Sequence, residues 1–167
     1  MESMLMLKKI LIVEDDESLM RLECILLTVR GYRAHGVMTW IAALNDIEKE
    51  LSDLIMLDIM LPGLNGFDVC RWISRNPETC QISIIFLSAR NAPEDISLGK
   101  LVGGDQYITK PFRSAKVVDA IKQLLLEKKK SHSGKKGYLI GRDGYALLKE
   151  DGSWKVPWGS IESLSRC

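Results

Sequence analysis

Short apolar runs recur along this chain, and each is followed by a stretch with helical spacing. Residues 10–13, 54–57 and 82–87 are almost continuously apolar. That is the pattern of strands covered on both faces. Residues 32–36 alternate apolar and polar as an edge strand does, and residues 106–108 form a short fifth strand. Between them, residues 17–30, 39–51, 66–75, 94–102 and 114–127 read as helices. Leu19, Leu22, Leu26 and Val29 recur at helical spacing in the first, Ile41, Leu44, Ile47 and Leu51 share one face of the second, and Val117, Val118, Ile121 and Leu125 are predicted to face inward in the last. Gly31, Asn76-Pro77 and Gly103-Gly104 supply helix stops.

Five β-α units in succession predict an α/β fold, a doubly wound five-stranded parallel sheet with helices on both faces. The three apolar strands belong in the centre and the two weaker ones at the edges. This favours the order 2-1-3-4-5, with a switch point between the first and third strands. After Glu127 the composition changes. Residues 128–136 are a polar, basic linker. Residues 137–167 carry two hairpin turn signals, Arg142-Asp143-Gly144 and Glu150-Asp151-Gly152, so a short β-rich C-terminal appendage is expected. Trp154, Val156 and Trp158 would share one face of a strand in it. The expected organisation is a domain over 7–127, a linker over 128–136 and the appendage over 137–167.

The chain has 167 residues and a formal net charge of +1. That balance argues against a globally nucleic-acid-binding chain. The four cysteines, Cys24, Cys70, Cys80 and Cys167, form no CxxC pair and read as reduced thiols. No apolar run approaches the ~20 residues of a membrane span. The N-terminal stretch reads as leading into a strand and not as a signal peptide. A cytoplasmic location is expected.

Candidate chemistry sits where the strands end. Glu14-Asp15-Asp16 follows the first strand, Asp58 the third, Ser88 the fourth and Lys110 the fifth. In an open parallel sheet these carboxyl ends lie side by side. Glu14, Asp15 and Asp58 supply the hard oxygen donors that suit Mg²⁺. Asp16 is better placed to start the following helix, where an acid is favourable. A carboxylate can also attack a phosphoryl group. Lys110 and the Ser88 hydroxyl can then hold its oxygens. Singly, each of these residues reads as a cap, a turn or surface charge. Their joint placement at the carboxyl ends of the strands is what marks a site.

Four stretches carry a family resemblance: Ile10-Leu11-Ile12-Val13-Glu14-Asp15-Asp16-Glu17, Leu57-Asp58-Ile59-Met60-Leu61-Pro62-Gly63-Leu64-Asn65-Gly66, Phe86-Leu87-Ser88-Ala89-Arg90 and Tyr107-Ile108-Thr109-Lys110-Pro111-Phe112. On these the chain resembles the receiver domain of two-component response regulators, the CheY-like family, over roughly residues 7–127. The resemblance implies that Asp58 takes phosphate from a sensor histidine kinase or phosphotransfer protein. It implies that Asp15 and Asp58 ligate Mg²⁺ with the Met60 carbonyl, and that Glu14 assists through water. Ser88 and Lys110 would bind the phosphoryl group. Tyr107 would be the switch aromatic that turns inward when Ser88 moves, and the Lys110-Pro111 bond would be cis. One departure is Lys100, where the family usually has an apolar residue.

The function expected is that of a phosphorylated signalling switch acting through protein contacts. It would not be an enzyme beyond self-phosphorylation and slow dephosphorylation at Asp58. Two alternatives stay open: a transcription regulator with a truncated or partner-supplied DNA-binding output, and a pseudo-receiver adaptor that never takes phosphate. The complete Glu14–Asp58–Ser88–Lys110 set argues against the adaptor. DNA binding is not evident, and homodimerisation is left open.

Overall fold

The computed structural model describes residues 8–63 and 65–127, and the backbone of 138–141, 144–148 and 154–155. Five strands, β1 (Lys9–Val13), β2 (Arg33–Val37), β3 (Leu54–Asp58), β4 (Ser83–Ser88) and β5 (Gln106–Thr109), form one parallel sheet in the order β2-β1-β3-β4-β5. The helices between and after them are α1 (Glu17–Val29), α2 (Trp40–Lys49), α3 (Gly66–Arg75), α4 (Pro93–Leu101) and α5 (Ser114–Glu127). The predicted fold, strand order and switch point are those observed. Three further strands, β6 (Tyr138–Gly141), β7 (Gly144–Leu148) and β8 (Trp154–Lys155), pair antiparallel in the order β6-β7-β8. The predicted apolar face of Trp154, Val156 and Trp158 lies outside the described side chains.

Local chemistry explains where the helices begin. Asp16 caps α1 by accepting from the Leu19 amide at 3.0 Å, Thr39 caps α2 through Ala42, and Asn65 caps α3 through Phe67. Pro93 opens α4 at a position where its missing N–H costs nothing. The sheet separates two cores. Ile55, Leu57, Ile84 and Phe86 face α2, α3 and α4, while Ile10, Ile12, Met56 and Ile85 face α1 and α5. Each such side chain contributes on the order of 1.5–3 kcal/mol by leaving water.

In two helices the apolar residues at helical spacing are only partly covered. In α1, Leu22 and Val29 are exposed, and the buried positions are Glu23 and Leu27, flanked by the partly buried Met20 and Cys24. In α2, Ile47 of the named stripe is buried with Trp40 and Ala43, while Ile41 faces solvent, as does Leu51 just beyond the helix. For α5 the expected face is correct: Val117, Val118, Ile121 and Leu125 are all buried. Lys100 is exposed on α4, and the inward position beside it is Gly99. A Cβ added to Gly99 would lie 2.9 Å from the Tyr107 ring and 3.2 Å from Phe86. The bare glycine lets the helix approach both rings.

Candidate functional site

The carboxyl ends of β1, β3, β4 and β5 bring the predicted site residues together. Glu14 leaves β1 with its amide bonded to the Val37 carbonyl, so its side chain turns over the sheet edge and is only 3% exposed. Its Oε1 accepts from the Asp16 amide at 3.1 Å. Asp58 ends β3, 7% exposed, with Oδ1 accepting from the Met60 amide at 2.9 Å. That turn is held down by Gly66 at the start of α3. A Cβ there would meet the Ile59 Cα at 2.7 Å.

Lys110 follows β5, its amide bonded to the Ser88 carbonyl at 2.8 Å, and the Lys110-Pro111 peptide is cis as expected. Its ammonium donates to Glu14 Oε2 at 2.5 Å and to Asp58 Oδ2 at 2.9 Å. One cation thus serves two buried carboxylates. Burial pushes Glu14 above the usual carboxylate range, against the pull of the Lys110 hydrogen bond. Burial alone would lower Lys110, but its bonds to Glu14 and Asp58 outweigh it and hold the ammonium above its ordinary value. Lys110 therefore stays charged. Asp15 is exposed at the mouth, and one carboxylate oxygen from each of Glu14, Asp15 and Asp58 lies within 4.8 Å of the others. Such a set suits a small, hard divalent cation that keeps part of its water.

Ser88 is fully buried at the end of β4, one residue beyond the register partner of Asp58. Its Oγ accepts from the Arg90 amide at 3.2 Å. Tyr107 on β5 donates its hydroxyl to the Arg90 carbonyl at 2.7 Å, and its ring lies 5.9 Å from that of Phe86. The backbone of Arg90 is thus gripped from both sides. The Arg90 side chain pairs with Asp95 and lies over the Phe67 ring at 5.9 Å.

The structure therefore gathers Glu14, Asp15, Asp58 and Lys110 at one point, with Ser88 beside them and Tyr107 connected through Arg90. Two residues near the site were not singled out from the sequence. Arg90 was visible only as part of a motif. Glu23 lies on the buried face of α1 with neither carboxylate oxygen partnered. Burial, then the charges of Glu14 and Asp58, push it up to about 8. An acid inside an otherwise apolar helical period was the available signal.

Comparison with known proteins agrees with this fold. The response regulator receiver domain family matches residues 10–122. The chain is 35% identical over 120 residues to the phosphate regulon transcriptional regulatory protein PhoB of Rhizobium meliloti, covering 72% of this chain and 53% of PhoB. It is 39% identical over 111 residues to the transcriptional regulatory protein AfsQ1 of Streptomyces coelicolor, covering 66% and 48%. Among solved structures, a CheY-like receiver domain protein from Methanospirillum hungatei superposes with a TM-score of 0.70 at 28% identity, covering 74% of this chain and 98% of that one. The BeF3-activated DrrB receiver domain gives 0.66 at 29%, covering 72% and 98%. The chain belongs to the response regulator receiver family. It spans about half the length of the curated relatives it matches. Among the described residues no helix is long and apolar enough to cross a membrane.

Proposed function

We propose that this chain is a phosphorylation-controlled switch in which Asp58 accepts a phosphoryl group from a sensor histidine kinase or phosphotransfer protein. The observation that carries this is the bridging of Asp58 and Glu14 by Lys110, with Asp15 completing a three-acid cluster. Mg²⁺ fits that donor set, and Glu14, Asp15, Asp58 and the Met60 carbonyl are the groups that would hold it. Bound there, it would neutralise charge developing on the phosphoryl oxygens.

The chain's own groups do the rest. Asp58 attacks phosphorus, the bond to the donor nitrogen breaks, and the imidazole leaves with that electron pair. The Met60 amide holds Asp58 Oδ1, so the carboxylate presents a fixed face. Lys110 exchanges its bond to Asp58 for one to a phosphoryl oxygen, and the Ser88 hydroxyl donates to another. When Ser88 turns toward the phosphoryl group, its bond to the Arg90 amide is lost, and Tyr107 loses a fixed partner. The signal then reaches the surface of α4, β5 and α5. Apart from turning over its own acyl phosphate, the chain performs no catalysis.

A second reading of the output is favoured by the relatives. PhoB and AfsQ1 are named as transcriptional regulators and are about twice as long as the stretch matched. In that reading the switch would control a DNA-binding part. In either case residues 7–127 act as the switch, 128–136 as a tether and 137–167 as a separable appendage.

The test is incubation with acetyl phosphate and Mg²⁺, followed by intact mass. One acid-labile phosphoryl group is expected on the wild type and none on Asp58→Asn. A wild type that stays unmodified while a control receiver is labelled overturns the reading. A chain ended after Lys130 should be labelled equally; loss of labelling there overturns the domain boundaries.

A further inference from the structure

Helix α3 has two faces of different character. Phe67, Cys70 and Ile73 are buried against the sheet. The outer face carries Asp68, Arg71, Trp72, Arg75 and Asn76, which line a shallow depression open to solvent. The depression belongs to the C-terminal half of the helix, about 10 Å along the axis from Gly66 at 1.5 Å per residue. It is separate from the acidic pocket.

Its chemistry is unusual for a solvated surface. Arg71 and Arg75 stand one turn apart, where like charges repel. Burial, and then the charge of Arg71, hold the Arg75 guanidinium below its ordinary value. The Nε atoms of both arginines are covered and lack an acceptor. Arg71 has a bond to Asp68 at 3.1 Å, while Arg75 makes no ion pair among the described residues. Between them Trp72 leaves 46% of its surface in water. A cation in the last turn favours the helix dipole, which accounts for Arg75 alone. It accounts neither for the second arginine beside it nor for the exposed indole.

We propose that this face of α3 binds a nucleotide, with Arg71 and Arg75 taking the phosphates and Trp72 stacking on the base. Guanidinium forks match phosphate oxygens bidentately. An indole face accepts a base with little sequence demand. Asp68 and the Asn76 amide are the polar groups at either end of the depression. Asn76 Oδ1 is occupied by the Glu78 amide at 3.0 Å, which leaves its NH₂ to donate to the ligand. An acidic peptide fits less well, because a helix flank offers no free backbone edge for an extended chain. With a net charge of +1, the whole molecule supplies little general attraction for polyanions, so the contacts must be local.

The experiment uses the full chain in low salt with EDTA, titrated with ATP, inorganic triphosphate, adenosine and a glutamate-rich peptide, followed by calorimetry and backbone NMR. ATP should bind with a Kd below about 1 mM and shift the amides of residues 68–76. Arg75→Ala and Trp72→Ala should each weaken ATP about tenfold, and Trp72→Ala should leave triphosphate binding unchanged. Both variants should still be labelled at Asp58, which shows that they are folded. Absence of saturable ATP binding, equal ATP affinity in Arg75→Ala, triphosphate binding as tight as ATP, or preference for the peptide would each overturn the proposal.

Discussion

Lys110 and Asp58 are joined by a hydrogen bond of 2.9 Å across 52 residues of sequence, and the same ammonium reaches Glu14. The lysine is thus a structural counterion before any phosphate arrives. Removing it strands two buried carboxylates. Lys110→Ala should lower stability by about 1–3 kcal/mol without added metal, less than a wholly buried pair would lose because the lysine is partly exposed. Mg²⁺ should restore part of that loss by supplying positive charge. Chemical denaturation with and without Mg²⁺ measures both. An unchanged metal-free midpoint would mean that the bridge contributes nothing.

Glu23 should make the fold lose stability as pH rises. Its folded pKa is raised from 4.5 to about 8, so the folded state holds a proton that the unfolded chain releases. Below about pH 4.5 both states are protonated and this group costs nothing. Between there and about 8 stability falls by roughly 1.4 kcal/mol per pH unit from this group, and above 8 the loss is complete. Glu23→Met should stabilise the protein at pH 8 by a few kcal/mol and little at pH 4.5. Urea midpoints at the two pH values test it; equal gains at both would rule out a buried, protonated Glu23.

Gly66 is where α3 presses on the turn that carries Asp58. A Cβ would sit 2.7 Å from the Ile59 Cα and 3.2 Å from the Asp58 carbonyl, and backbone cannot move aside as a side chain can. Gly66→Ala should cost about 1–3 kcal/mol. It should also weaken Mg²⁺ binding, since the strain falls on the Asp58–Met60 turn. Thermal melts and a Mg²⁺ titration followed by NMR decide whether stability and metal affinity fall together.

Ser88→Ala should remove the acceptor of the Arg90 amide at a cost of about 1 kcal/mol while leaving Mg²⁺ binding intact. If Ser88 transmits the phosphoryl signal, NMR resonances of Tyr107 should respond to beryllofluoride in the wild type and not in the variant. The same response in both would break the link from Ser88 to Tyr107.

Much of this molecule was legible in the chain. Three apolar strands, two weaker ones and intervening helical periods dictate a parallel sheet and its order. A strand buried on both faces must be apolar throughout, and that requirement is local. The site was legible for a related reason: in such a sheet every strand ends at the same edge, so Glu14, Asp58, Ser88 and Lys110 had to be neighbours.

Which face α1 turns inward was decided only by tertiary packing, whereas the inner face of α5 could be read from its spacing. In α1 the spacing of Leu19, Leu22, Leu26 and Val29 is as helical as that of the true inner face, yet Glu23 and Leu27 are the residues buried. Periodicity marks an amphipathic helix, but two stripes compete when both sides carry apolar residues. The choice is then made by the sheet and by α5. The pairing of Lys110 with Glu14 as well as Asp58, and the upward shift of the buried Glu23 carboxyl, likewise depend on packing between elements far apart in the chain. No pattern within one element contains them.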